Sequence, residues 1–97
     1  MAKAYILAFI DVHDWETYDR YRAGVPGVIA RYGGRFIMRG PPSEVVEGDW
    51  PGSRVVCVEF PDEATARRFY DSPEYQEILP HRLKATSGRL LFVPGVD

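Results

Sequence analysis

The chain predicts an α+β domain of ferredoxin-like topology, β-α-β-β-α-β, with an antiparallel sheet. Three observations carry this. Four stretches rich in β-branched and aromatic residues are spaced along the 97 residues. Helix-period segments with good capping residues separate the first stretch from the second and the third from the fourth. Finally, the strand candidates are apolar on both faces, which a sheet covered by helices on one side alone does not need.

Ala4 to Val12 is dense in Tyr, Ile, Leu, Phe and Val, so it reads as the first strand. Asp14 stands where an N-cap belongs, with Glu16 in the first turn. Trp15, Tyr18, Tyr21 or Arg22, Val25, Val28, Ile29 and Tyr32 follow at steps of three and four, the stripe of an amphipathic helix. Pro26, between Gly24 and Gly27, is expected to interrupt or kink it, and Gly33-Gly34 to stop it. Arg35 to Gly40 is the second strand, closed by Pro41-Pro42. Ser43 to Glu47 is expected to fold back on it as a short ribbon strand. Gly48 to Gly52 is a loop, with Pro51 and Gly52 marking a turn.

Arg54 to Phe60 is the third long strand. Pro61-Asp62 caps a second helix running to about Asp71, with Ala66, Phe69 and Tyr70 inward. Ser72-Pro73 restarts a helix, serine as cap and proline at the first helical position. Tyr75, Ile78, Leu79 and Leu83 carry the apolar spacing through a stretch expected to be broken at Pro80. Arg89 to Val93 is the last strand, and the tail from Pro94 to Asp97 is expected to be loose. The whole chain, residues 1–97, reads as one domain, without internal repeat or linker.

On the first strand Tyr5, Leu7 and Phe9 share one face, and Ala4, Ile6, Ala8 and Ile10 the other. The third strand sets Val55 and Cys57 against Val56, Val58 and Phe60, and Leu90 to Val93 is apolar without a break. Two helices and a bent segment cover one face. The other is expected to pack on a second copy, giving a two-fold homodimer joined sheet to sheet.

A formal net charge of -2, with Arg67-Arg68 as the adjacent basic pair, argues against a nucleic-acid partner, because phosphate binding needs a concentrated basic surface. The single cysteine, Cys57, permits no internal disulfide and fits a reducing compartment. Ala4 to Ile10 is too short to span a bilayer, and Met1-Ala2-Lys3 shows no cleavage pattern, so a cytoplasmic protein without membrane association is expected. The chain lacks a phosphate-binding glycine loop, a dinucleotide fingerprint, a nucleophile elbow and a zinc-type cysteine pattern. No cofactor or metal is therefore expected to be needed. Asp11, His13 and Asp14 fall short of a firm three-ligand set and read as turn polarity and capping.

Tyr32-Gly33-Gly34-Arg35, Arg39-Gly40, Glu47-Gly48-Asp49-Trp50, Val58-Glu59-Phe60-Pro61 and the run from Phe69 to Gln76, with Arg82 beyond, form an ordered set. In that order and spacing it resembles the bacterial family called domain of unknown function 1330, over about Ala4 to Val93. The resemblance implies a dimeric α/β barrel, in which two ferredoxin-like sheets pack face to face. It also implies kinship with a wider group that includes cofactor-free monooxygenases, lactone isomerases and haem-degrading enzymes. Pro41-Pro42 stands where family members often carry a second glycine.

Ionisable residues in apolar strands are the first candidates for chemistry. Glu59, in Cys57-Val58-Glu59-Phe60, needs a partner if buried, and Arg39 is the expected one. The functional reading makes Glu59 a base and Arg39 a clamp for a carboxylate or enolate. The competing reading is a structural ion pair at the sheet edge. His81 is a candidate base, or else a surface histidine after Pro80. Arg82, part of the family pattern, either neutralises a bound anion or ties its helix to a carboxylate. Tyr18 is expected to line the same cleft from the first helix, and Trp50 to act as a lid or reach the partner subunit. Most of the other aromatics read as core or interface filling.

Function stays open between three readings. One is a cofactor-independent enzyme, monooxygenase- or isomerase-like, acting on a small aromatic or polyketide-like molecule. The others are a non-catalytic small-molecule-binding module and a structural homodimer. A pocket separates the first two from the third, and a lining of Arg39, Glu59, Tyr18 or His81 that function requires separates the first from the second.

Overall fold

The computed structural model describes residues 2–50 and 54–96. The elements are β1 (Ala4–Val12), α1 (Trp15–Arg31), β2 (Arg35–Gly40), β3 (Arg54–Phe60), α2 (Glu63–Asp71), α3 (Pro73–Ala85) and β4 (Thr86–Pro94). The strands form one antiparallel sheet in the order β2-β3-β1-β4. This is the ferredoxin-like α+β arrangement, with two consecutive helices between β3 and β4.

The helix starts follow from side-chain caps. The Thr17 N–H donates to Asp14 Oδ1 at 3.2 Å, the Thr65 N–H to Asp62 Oδ1 at 2.7 Å, and the Tyr75 N–H to Ser72 Oγ at 3.1 Å. Each satisfies a backbone donor that the first helical turn leaves unpaired. Gly33, at φ +79°, ends α1, because only glycine enters that region without strain.

β1 alternates strictly. Ala4, Ile6, Ala8 and Ile10 are buried under the helices, and Tyr5, Leu7 and Phe9 point to the other face. Register carries this across the sheet, with Ile6 opposite Val58 and Phe92, and Leu7 opposite Cys57 and Leu91. The core lies between the first face and Tyr18, Val25, Ile29, Phe69, Tyr75 and Leu79 of the helices. The second face offers Leu7, Phe9, Val55 and Cys57, with Leu91 and Val93 still 42% and 38% exposed.

Four expectations need correction. Ser43 to Glu47 forms no strand, and Val46 is 80% exposed. Pro41 and Pro42 cannot donate to a ladder, and a short ribbon there has no apolar face to bury. Neither Pro26 nor Pro80 breaks its helix. Each forfeits one backbone bond, and the buried side chains around it, Val25 and Ile29 or Leu79, hold the helix through the gap. Gly24 permits the close approach of α1 and α3, since a Cβ there would stand 3.2 Å from Ile78 Cγ2. Leu83 is 61% exposed, and its neighbour Arg82 takes the inward position on α3. The first part of the tail is tied rather than loose: Pro94 pairs with Ala4, and the Gly95 N–H donates to the Lys3 carbonyl at 2.7 Å, while Val96 beyond is 97% exposed. The turn expected at Pro51 and Gly52 lies outside the described residues, as do Met1 and Asp97.

Candidate functional site

Between the helix-side face of the sheet and α1, α2 and α3 lies a cavity of about 300 Å³. Most of its wall is apolar, built from side chains such as Ile6, Val58 and Leu90, with the rings of Tyr18, Tyr21, Phe36 and Tyr75. Four arginines line it, Arg22, Arg39, Arg54 and Arg82, and among the described residues no carboxylate or histidine does.

Each arginine arrives for a local reason. Arg54 opens β3 in phase with Val56 and Val58, so it shares their face, opposite Ile10. Arg22 lies one turn past Tyr18 on α1. A bulge between Phe36 and Met38 adds one residue to β2 and places Arg39 opposite Val56, on the helix side. A regular pairing would have set it opposite Val55, on the other face. Its guanidinium rests 4.4 Å over the Phe36 ring. Arg82 is inward on α3 and only 8% exposed, 5.7 Å from the Tyr21 ring centre.

The charges are poorly compensated. Arg22 donates to Asp19 Oδ1. Among the described residues Arg39, Arg54 and Arg82 have no salt-bridge partner within 4.0 Å. The Nε groups of Arg54 and Arg82 are both buried without a hydrogen-bond acceptor. Burial alone would push the Arg82 guanidinium down, but the Tyr75 and Tyr21 oxygens beside it hold it above its ordinary value, so it stays charged. The two tyrosine hydroxyls meet at 2.8 Å. Burial, with Tyr75 alongside, pushes the Tyr21 phenol well up, so it is a neutral donor rather than a base.

Of the sequence candidates, the fold brings Arg39, Tyr18 and Arg82 together in this cavity. Glu59 is elsewhere. It faces the uncovered side of the sheet, opposite Tyr5 and Arg35, and accepts from Arg35 Nε at 3.0 Å, Tyr5 OH at 3.1 Å and Lys3 Nζ at 3.3 Å. The expected pairing of Glu59 with Arg39 is therefore corrected, because the two occupy opposite faces. His81 is half-buried on α3 and does not line the cavity. Trp50 packs edge-on against Phe9, ring centres 5.7 Å apart, beside Asp49, Ser87 and Arg89 on the uncovered face. It is not a lid over the cavity.

Arg22 and Arg54 line the cavity without being singled out in the sequence, whereas Tyr21 and Tyr75 belong to the aromatic set from which some pocket lining is expected. The signal for Arg54 was present in the period-two phase it shares with Val56 and Val58. Arg39 is a candidate by residue type, but its facing carries no signal, because a bulge leaves no mark in the alternation.

Glu59 sets an acid limit on stability. Arg35 foremost, with Tyr5 and Lys3, holds its carboxyl below the ordinary 4.5. A depressed folded value stabilises the protein above the unfolded pKa, and that contribution disappears as pH falls through the folded one. Chemical denaturation at stepped pH should find Glu59→Gln less stable than the parent at neutral pH. The gap should close in acid below 4.5. A gap that does not change with pH would show that the ion cluster contributes nothing.

The fold and the cavity define a ferredoxin-like α+β chain with a mostly apolar cavity lined by four arginines. The model of the family described as domain of unknown function (DUF1330) matches residues 3–96, and the chain belongs to that family. Among solved structures, a protein of unknown function from Rhodopseudomonas palustris is 20% identical at TM-score 0.80, covering 99% of this chain and 84% of that one. A dimeric ferredoxin-like protein of unknown function from Jannaschia sp. CCS1 is 16% identical at TM-score 0.72, over 98% of this chain and 99% of that one. SnoaB, a cofactor-independent oxygenase from Streptomyces nogalater, is 13% identical at TM-score 0.70, over 100% of this chain and 96% of that one. At these identities the likeness speaks for the fold. No curated protein sequence matches the chain. Among the described residues no helix is long and apolar enough to cross a membrane, and no cluster of His, Cys, Asp or Glu could hold a metal ion.

Proposed function

We propose that the protein binds a small planar anion of aromatic or polyketide-like character, a carboxylate, enolate or phenolate, in the cavity between sheet and helices. It does so as a one-domain cytoplasmic homodimer joined through the uncovered sheet face. One observation carries the reading: an apolar, ring-lined cavity holds four guanidinium groups and, among the described residues, no carboxylate. Arg22 is exposed and paired with Asp19, and Arg39 is exposed. Arg82 is buried and Arg54 partly buried, both without a counter-ion among the described residues. Such cations are costly, and an anionic ligand supplies what these two lack. The dimeric relative supports the assembly, and the apolar face with Leu91 and Val93 supports its location.

The chemistry such a site favours is stabilisation of a substrate anion. SnoaB, of similar fold, suggests the enzyme form of this reading, in which an activated CH2 group reacts with dioxygen. One oxygen atom of O2 ends in the C=O, and the other leaves as water with the two hydrogens of the CH2 group. The arginines would hold the enolate that dioxygen attacks, without a bound cofactor. The absence of carboxylate and histidine from the described lining favours a second reading, binding without turnover. Oxygen uptake with an enolisable aromatic ketone separates the two.

Arg82→Met tests the shared core of both. Methionine fills a similar volume and removes a charge that has no carboxylate partner. Thermal stability should hold or rise, by up to about 1–2 kcal/mol, while calorimetric binding of a naphthalene monocarboxylate is lost. A clear fall in stability with binding intact would overturn the reading and make Arg82 a structural residue.

A further inference from the structure

Two of the cavity arginines carry the same defect on opposite walls. Arg54 comes from the sheet and Arg82 from α3, and each has a buried Nε without an acceptor. Arg82 is itself more than nine-tenths buried. Neither is paired with a carboxylate among the described residues. The two cations also rest on different rings of one tyrosine pair. Tyr18 and Tyr21 stack with ring centres 5.8 Å apart and planes 21° from parallel. Arg54 lies 5.8 Å from the Tyr18 ring, Arg82 5.7 Å from the Tyr21 ring, so each keeps to its own member of the stack.

From this arrangement we infer that the ligand is doubly anionic, a flat molecule of about two fused rings with an acidic oxygen group near each end. Arg82, beside the Tyr21 and Tyr75 hydroxyls, receives one group. Arg54 receives the other, and the apolar wall and tyrosine rings take the faces between them. A single carboxylate sets one charge against two guanidiniums, so one of them is left without a counter-ion. A second anionic group supplies it, and a charge-assisted hydrogen bond in a mostly apolar site is strong. The inference rests on the anion-binding reading above and narrows it to a substrate class, hydroxy- or carboxy-substituted aromatic acids.

Titration calorimetry of the full chain at fixed ionic strength, with two probes, tests it. One is a naphthalene monocarboxylate. The other is a naphthalene dicarboxylate with its acid groups on opposite rings. The dicarboxylate should bind at least about 10-fold tighter. Arg54→Gln should abolish that advantage and bring the dicarboxylate down to the monocarboxylate's affinity. Equal affinities for the two probes in the parent protein would overturn the two-point inference while leaving the anion-binding reading standing. So would an equal loss of both in Arg54→Gln. Binding of neither probe would overturn both. The comparison on the parent protein decides even if the variant fails to fold.

Discussion

Gly88→Ala is expected to cost more than about 4 kcal/mol of stability, among the largest effects of any single methyl addition in this chain. Gly88 lies in β4 opposite Ile10, at φ +148°, a conformation that side-chain-bearing residues rarely adopt. A Cβ there would fall 1.9 Å from the Phe9 carbonyl oxygen and 3.3 Å from Ile10 Cα. These are backbone atoms of the central strand β1, so no side-chain rotation relieves the clash. Either β4 peels away from β1 or the ladder shifts, and both uncover the Leu90 and Phe92 packing beneath the helices. Gly27→Ala is the matched control. It adds the same methyl group inside α1, where nothing lies within 4 Å, and it should stabilise the protein by about 0.5–1 kcal/mol. Urea denaturation of the two variants beside the parent checks both signs. A Gly88→Ala protein as stable as the parent would mean that β4 does not lie against β1 in this way.

A charge at Leu7 should break the proposed homodimer. Leu7 is central on the uncovered face, between Cys57 on one side and Leu91 on the other. Because a two-fold interface presents the same patch twice, Leu7→Glu places two like charges in one apolar contact. Removing a carboxylate from water without a partner is costly, so dimer affinity should fall at least about 100-fold. Light scattering at micromolar concentration should read twice 11.0 kDa for the parent and 11.0 kDa for the variant. Leu83→Glu, at an exposed position on α3, should leave the mass unchanged. A parent protein found only as an 11.0 kDa species would refute the assembly. A Leu7→Glu variant that still dimerises would move the interface to another surface. Cys57 shares this face, and burial, with Glu59 nearby, pushes its thiol up, which suits an inert packing role.

Much of the fold was legible from residue type and period. Asp14, Asp62 and Ser72 mark the helix starts, and the two-sided apolarity of β1 announces an uncovered face needing cover. These signals are local, because a capping hydrogen bond spans three residues and a strand's alternation depends only on its own neighbours. What failed was also local reasoning, applied where long-range packing decides. Pro26 and Pro80 look like breaks, yet the helices continue because their buried faces are already held in the core. Val45 and Val46 look like a strand but have no partner, since Pro41 and Pro42 end the pairing ahead of them.

The site divides the same way. The sequence by itself determined which residues could carry chemistry and that both sheet faces require cover. Only the tertiary structure decided which of those residues meet. Glu59 and Arg39 sit on different strands, and their relative facing depends on register. One extra residue in the β2 bulge turns Arg39 inward, while Glu59 keeps to the outer face with Lys3, Tyr5 and Arg35. Period two makes every facing sensitive to a one-residue shift, and a bulge is a property of the paired strands rather than of either sequence. Arg82 was decided in the same manner. After Leu79 the helical spacing admits either Arg82 or Leu83 inward; the structure buries Arg82 in one stripe with Tyr75, Leu79 and Ala85 and leaves the leucine exposed.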